Sequence, residues 1–221
     1  MSIVSRPDDI PLDVKACAIR GYKRQEEELP ALSLYGWALN YLEAEPDEWD
    51  ESVIHLSDYR HTLEPDDGAC KRQLWHRLRG DDKRPPTLWE RVMWDQGFAM
   101  QMRFSWLITK GLPDDWELHD IEMDVSLGLP SNDTGSCDLV LKSKKRRRML
   151  GIEFKTQRGR AFHYMNEAKP SHMLQAQAEL YALHTIHGGG GRYTVGQVIM
   201  YLDREGQNEP RVFPVPFDSS V

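Results

Sequence analysis

Cysteine is scarce in this sequence, and the residues that are present lie far apart. Cys17, Cys70 and Cys137 are the three cysteines among 221 residues, and none of them belongs to a CxxC pair. A disulfide framework needs a larger, even number of cysteines, and a zinc knuckle needs closely spaced pairs. The sequence therefore indicates neither, and we expect buried thiols.

Long apolar runs and an excess of positive charge are also missing. No stretch approaches the roughly 20 apolar residues that span a bilayer, and the opening MSIVSRPDD lacks the apolar core of a signal peptide. We therefore expect a cytoplasmic protein without membrane contact. The formal net charge is −7, which argues against a protein that coats DNA. Any contact with nucleic acid must then use local basic patches.

The stretch from Gly135 to Gln157 shows the alternation of apolar and polar residues that is typical of a β-hairpin. A turn at positions 145 and 146 places Leu139 opposite Ile152 and Asp138 opposite Glu153. The apolar residues then share one face of the hairpin, and the two acids share the other. Directly opposed side chains have Cβ atoms about 5 Å apart.

Two carboxylates held this close repel each other unless a positive group intervenes. Mg²⁺ accepts oxygen ligands from one or two carboxylates and keeps positions for water and substrate phosphate. Lys155, two residues after Glu153, lies on the same face. The alternative is an ordinary surface hairpin, because an acid-x-Lys triplet also occurs at 81–83 and 167–169 in polar segments.

Basic residues are concentrated in two places. The hairpin turn holds six within seven positions, and we expect them to contact DNA phosphates beside the metal: Lys142, Lys144, Lys145, Arg146, Arg147 and Arg148. A second patch includes Arg72 and Arg77, next to Trp75, which either stacks on a base or belongs to the core. The alternative for the first run is a solvated turn.

The sequence divides into a helical appendage over residues 1–55, with a helix from Pro30 to Glu43, and a main domain over residues 56–221. A capping-box pattern at Thr87 and Glu90 opens a helix that ends at Gly111 and packs over a sheet. Gly97 inside this helix predicts a close approach to the sheet or to a ligand. The other predicted elements are strands over 120–127 and 193–202, a helix over 170–187 and an edge segment over 211–217.

The order helix, three strands, helix, strand, together with Asp138, the triplet Glu153-Phe154-Lys155 and Gln177-x-x-x-Tyr181, resembles the PD-(D/E)XK nuclease superfamily, and within it the RecB-like branch. The resemblance covers positions 55 to 202. It implies a restriction-endonuclease-like α/β core in which helices flank a mixed sheet.

The resemblance also implies a deoxyribonuclease that uses Mg²⁺ or Mn²⁺. The metal ligands that it implies are Asp138, Glu153 and Phe154, with Glu122 and Gln101 as additional candidates and Asp124 as the competitor of Glu122. Lys155 would orient the attacking water or act as a base. Gln177 and Tyr181 would position Lys155 or the DNA backbone, and core packing is their alternative.

Two departures from the resemblance affect cofactors. Similar nucleases often have Gly-x-x-x-His on the first helix, whereas this sequence has Gln101 four residues after Gly97. An amide oxygen is a poorer ligand than imidazole for Mn²⁺, so the choice between one metal and two, and between a full and a weakened site, stays open. No cysteine follows Cys137, and an iron-sulfur cluster is not expected.

The resemblance favours an exonuclease that processes single-stranded or duplex DNA ends in recombination, repair or replication. Three alternatives stay open: a structure-specific or nicking endonuclease, a catalytically inactive DNA-binding module of the same fold, and a factor that binds a protein partner through its acidic surface. Assembly into a homo-oligomer or with a recombination protein is compatible with each of them.

Overall fold

The computed structural model describes residues 12–25, 54–55, 75–76, 78–79, 87–128, 133–157, 159–188 and 192–217. The helices in these ranges are α1 (Val14–Gln25), α2 (Leu88–Lys110), α3 (Gly159–His163) and α4 (Pro170–Leu183), which a π-helical turn extends over His184–Gly188. The strands are β1 (Ile54–His55), β2 (Glu117–Val125), β3 (Asp133–Ser143), β4 (Arg148–Gln157), β5 (Thr194–Asp203) and β6 (Arg211–Pro214).

The strands form one mixed sheet. β3 pairs antiparallel with both β2 and β4, β4 runs parallel to β5, and β6 closes the far edge antiparallel to β5. The short β1 pairs with the start of β3. Pro214 lies in the edge strand, where a missing N–H group is tolerated. The predicted fold class, a mixed α/β sheet flanked by helices, is confirmed.

The β3–β4 hairpin has the predicted register, with Leu139 opposite Ile152 and Leu141 opposite Leu150. Both faces of it are buried, however, and the expected division into an apolar and a polar face is wrong. Leu139 and Ile152 pack in the core beneath α1 and α2, whereas Val140 packs in a second core beneath α4. β4 is a central strand covered by helices on both sides. Its polar side chains are therefore confined to one end of the sheet face that α4 covers.

Helix α2 begins with the predicted capping box. The Thr87 side chain accepts from the backbone N–H of Glu90, and the Glu90 side chain accepts from the backbone N–H of Thr87. Gly111 caps the other end of the helix. Its second half carries buried residues and packs on the sheet. Its first half does not, because Leu88, Trp89 and Trp94 are 80%, 67% and 63% exposed. The predicted packing of this helix over the sheet is therefore confirmed for its second half and wrong for its first half.

Helix α1 was not predicted, and it packs tightly against α2. A Cβ atom on Gly21 would lie 1.8 Å from the backbone oxygen of Leu107, so only glycine permits this approach. At Gly97 a Cβ atom would meet nothing closer than Thr156 Oγ1 at 3.7 Å, an ordinary contact. The expected close approach at Gly97 is thus absent from the described structure.

Two predictions concern segments that the structure describes only in part. Cys17 and Cys137 are buried free thiols, as expected, whereas Cys70 and the helix predicted over 30–43 lie outside the described residues. The domain boundary at residue 55 stays a prediction, although α1 contributes Val14 to the same core as the sheet. Among the described helices, none has the length and apolar character needed to cross a membrane.

Candidate active site

Three of the predicted site residues meet at the end of the hairpin that lies away from its turn. Asp138 on β3 accepts a hydrogen bond at Oδ2 from the backbone N–H of Phe154, at 2.6 Å. On β4, Lys155 Nζ lies 2.6 Å from Oε1 of Glu153. The phenyl ring of Phe154 belongs to the opposite core, so this residue meets Asp138 through its main chain.

Glu153 is buried, Asp138 and Lys155 are half-buried, and the cluster carries more negative than positive groups. Burial raises the pKa of Asp138 well above its usual range, and the neighbouring Glu153 and Glu122 raise it further. Burial acts to lower the pKa of Lys155, but the carboxylates of Glu153 and Asp138 outweigh it and leave that pKa above its ordinary value. Lys155 is therefore an ammonium ion, which favours the orienting role over the role of general base.

One atom of the cluster is unsatisfied. Oε2 of Glu153 is buried and accepts no hydrogen bond from any residue that the structure describes, and a buried carboxylate oxygen without a partner is costly. A hard divalent cation beside Asp138 and Glu153 would satisfy this oxygen, so the donor set fits Mg²⁺ or Mn²⁺. The described residues contain no group of three His, Cys, Asp or Glu side chains able to enclose a metal, so water and substrate would supply the remaining ligands.

The two additional ligand candidates contact each other. Gln101 Nε2, on α2, donates to Oε1 of Glu122, and Ser136 Oγ donates to Oε2 at 2.9 Å. Glu122 has a φ of +53°, a left-handed conformation that typically costs about 1–3 kcal/mol and occurs at functional sites. Desolvation by its surroundings raises the pKa of Glu122, although its side chain keeps an exposed surface. The competitor Asp124, two positions further along β2, is exposed as well.

Helix α4 presents a different pair of side chains to the cluster from the pair predicted. Gln177 Nε2 donates to the backbone oxygen of Pro216 at 3.4 Å, and Tyr181 is 43% exposed and stacks on Phe217. Neither contacts Lys155 through any described hydrogen bond. Residues two apart on a helix point to nearly opposite sides, so the side that faces the sheet carries Gln175 instead.

Gln175 and Glu179 are the residues that the sequence reasoning missed. Gln175 Nε2 donates to Oε1 of Glu153 and to Oε1 of Glu179, both at 2.9 Å, and its Oε1 accepts from Lys155 Nζ at 3.0 Å. Gln197 Nε2, on β5, donates to Oε2 of Glu179 at 2.5 Å. The available signal was the four-residue spacing of Gln175 and Glu179, which equals that of Gln177 and Tyr181.

The basic turn lies away from the carboxylates, not beside them as predicted. Arg148 begins β4, and Glu153 is five residues further along, which is about 17 Å at about 3.3 Å per residue. Part of the turn is neutralised, because Lys144 pairs with Glu117 at 3.1 Å and Arg146 with Asp115 at 2.7 Å.

The other basic residues differ in their surroundings. Lys142 is part-buried, with Nζ 3.1 Å from Nδ1 of His119. Lys145 and Arg147 are exposed and have no ion pair within the described ranges. The predicted DNA-binding residues Arg72 and Arg77 lie outside those ranges. Trp75 is half exposed, with Arg79 stacked 4.3 Å from its ring.

Comparison with known proteins gives a similarity of fold only. No protein-family model matches the sequence, and no curated protein matches it. A crystal structure of an alkaline exonuclease, LHK-Exo from Laribacter hongkongensis, is 11% identical with a TM-score of 0.47 over 76% of this chain and 79% of that one. The crystal structure of SSO0001 is 12% identical with a TM-score of 0.38 over 88% and 81%. Such values describe the course of the chain and say nothing about activity.

Proposed function

We propose that this protein is a metal-dependent deoxyribonuclease that hydrolyses the phosphodiester bonds of DNA. The observation that carries the proposal is the buried, unpartnered Oε2 of Glu153 next to Asp138, with Lys155 held against the same glutamate. A cluster of acids with one ammonium ion and one free carboxylate oxygen is suited to phosphate chemistry.

Asp138 and Glu153 would hold Mg²⁺ or Mn²⁺, which supplies charge neutralisation at the phosphate and lowers the pKa of bound water. Lys155 directs one N–H group to Glu153 and another to Gln175. An ammonium group has three donors, so the third is left for the attacking water or a phosphate oxygen. Glu122, held by Gln101 and Ser136, would bind the metal through water.

The substrate is proposed to be DNA with a free end, either single-stranded or duplex. The exposed Lys145 and Arg147 support a nucleic-acid partner, since they can contact phosphates without reading sequence. Arg148, at the base of the same turn, lies about 17 Å from Glu153 along β4, which corresponds to about five nucleotide steps at about 3.4 Å each. Preference for ends rests on the family resemblance, and recombination, repair and replication are the processes that such an activity would serve.

The test compares a covalently closed circular DNA with the same molecule linearised, each incubated with Mg²⁺, Mn²⁺ or EDTA. We expect metal-dependent loss of label from the linear form alone. Glu153→Gln should abolish it, and Glu167→Gln should not, because Glu167 belongs to an exposed acid-x-Lys triplet outside the sheet. Nicking of the circle would indicate an endonuclease. Binding without cleavage would indicate an inactive module, and neither activity would indicate a protein-interaction factor.

A further inference from the structure

Glu179 is a buried carboxylate that the proposed chemistry leaves unused. It is fully buried in α4, and the described cations form no ion pair with it. Burying a carboxylate without a cation is costly. Its two oxygens are nevertheless satisfied, by Gln175 from the same helix and by Gln197 from β5.

The three polar contacts of Gln175 permit only one orientation of its amide. The NH₂ group faces two carboxylates, those of Glu153 and Glu179, and the amide oxygen faces the ammonium of Lys155. A flipped amide would turn its oxygen towards both carboxylates and its NH₂ towards the ammonium ion. All three contacts would then be repulsive.

We propose that Glu179 is a positioning residue that fixes the amide of Gln175 and, through it, the direction of Lys155 and Glu153. This inference rests on the proposed function. Gln197 is itself buried and holds Glu179 from the strand next to β4, so the orientation of Lys155 is set from the sheet as well as from α4. Glu179 reaches Lys155 and Glu153 only through Gln175, so it acts on the proposed catalytic groups indirectly.

The consequence is a chain of donors and acceptors with a fixed direction. Gln197 and Gln175 both donate to Glu179, and Gln175 then donates to Glu153 and accepts from Lys155. Glu179→Met removes both acceptors, so the NH₂ groups of Gln175 and Gln197 lose this partner. Glu179→Gln keeps the chain, because Oε1 of Gln197 is buried without a hydrogen-bond partner among the described residues and a flipped Gln197 amide accepts from residue 179. In that variant residue 179 donates to Gln197 and still accepts from Gln175.

The test measures steady-state cleavage of linear DNA by the wild type, by Glu179→Met and by Glu179→Gln. We expect Glu179→Met to lower kcat about 10- to 100-fold with KM unchanged, since small displacements of a catalytic group cost rate. Glu179→Gln should keep kcat within a few-fold of the wild type. A residue needed only for packing would tolerate Met, which has a similar volume.

A second readout keeps this inference separate from the proposed function. NMR of the metal-free protein reports how well the side-chain NH₂ of Gln175 is protected from solvent exchange. Protection should fall in Glu179→Met and be kept in Glu179→Gln, whether or not the protein cleaves DNA. Unchanged protection in a folded Glu179→Met would overturn the inference. If that variant does not fold, loss of protection in Glu179→Gln would overturn it.

Discussion

Replacing Asp138 by Asn tests the claim that the metal-free cluster is held together against electrostatic repulsion. Asp138 lies opposite Glu153 by extension of the observed register, and opposed Cβ atoms are about 5 Å apart. At that separation and an effective dielectric constant of about 20, two full charges repel by about 3 kcal/mol. Lys155 and the raised pKa of Asp138 offset part of this. Asn should therefore stabilise the metal-free protein by about 1–2 kcal/mol.

The assay is thermal unfolding in EDTA at pH 8, where Asp138 is most ionised. A gain of about 1–2 kcal/mol corresponds to a rise in Tm of about 2–8 °C for a chain of this size. The gain should shrink at pH 5, because protonation of Asp138 relieves the same repulsion in the wild type. Mg²⁺ should raise the Tm of the wild type, since a ligand that binds the folded state stabilises it, and should have little effect on the variant.

Two matched variants separate charge from hydrogen bonding. Asp138→Ala leaves the Phe154 N–H group without its acceptor, so it should be about 1–3 kcal/mol less stable than Asp138→Asn. Asp120 also accepts from a backbone N–H group, that of Ile121, but it is exposed. Asp120→Asn should change stability by less than about 0.5 kcal/mol. A loss of stability in Asp138→Asn at pH 8 in EDTA would refute the reasoning.

Four further outcomes follow from the structure. The pKa values of Asp138, Glu179 and Glu122 are raised in the folded state, so the folded state binds protons more tightly than the unfolded state. The free energy of unfolding of the metal-free protein, measured by denaturant titration, should therefore fall as pH rises above about 4. Mg²⁺ should reduce this fall. Changing Lys145 and Arg147 to Gln should lower the salt slope of DNA binding by about 2, whereas Lys15→Gln, whose partner is Glu209, should not change it. Gly97→Ala should raise stability by up to about 1 kcal/mol in calorimetry, since its Cβ meets only ordinary contacts. Gln175→Ala should reduce the cleavage rate more than Gln177→Ala in the same assay, because only Gln175 contacts Lys155.

The hairpin could be predicted because its register is strongly determined by the sequence. A slip of one residue in β4 would carry Glu153 from the face that α4 covers into the apolar core beneath α1 and α2, so one turn position satisfies the pattern. The start of α2 could also be predicted from neighbouring residues, since the capping box involves residues three apart. Helix α1 depends instead on a tertiary contact, the approach of Gly21 to Leu107, and no local pattern indicates that contact.

The orientation of α4 shows why the polar partners of the site were harder to predict than its carboxylates. Buried residues occur on nearly every side of this helix, among them Ala176, Ala178, Leu180 and Ala182, so apolar spacing does not identify the side that faces β4. The hydrogen bonds that buried polar groups require do identify that side. A buried carboxylate needs donors, and Glu179 finds them in two amides, Gln175 and Gln197. Rotating the helix to bring Gln177 and Tyr181 to the cluster would carry Glu179 away from Gln197 on β5 and Gln175 away from Glu153 and Lys155. These buried polar contacts therefore decide which face of α4 meets Lys155.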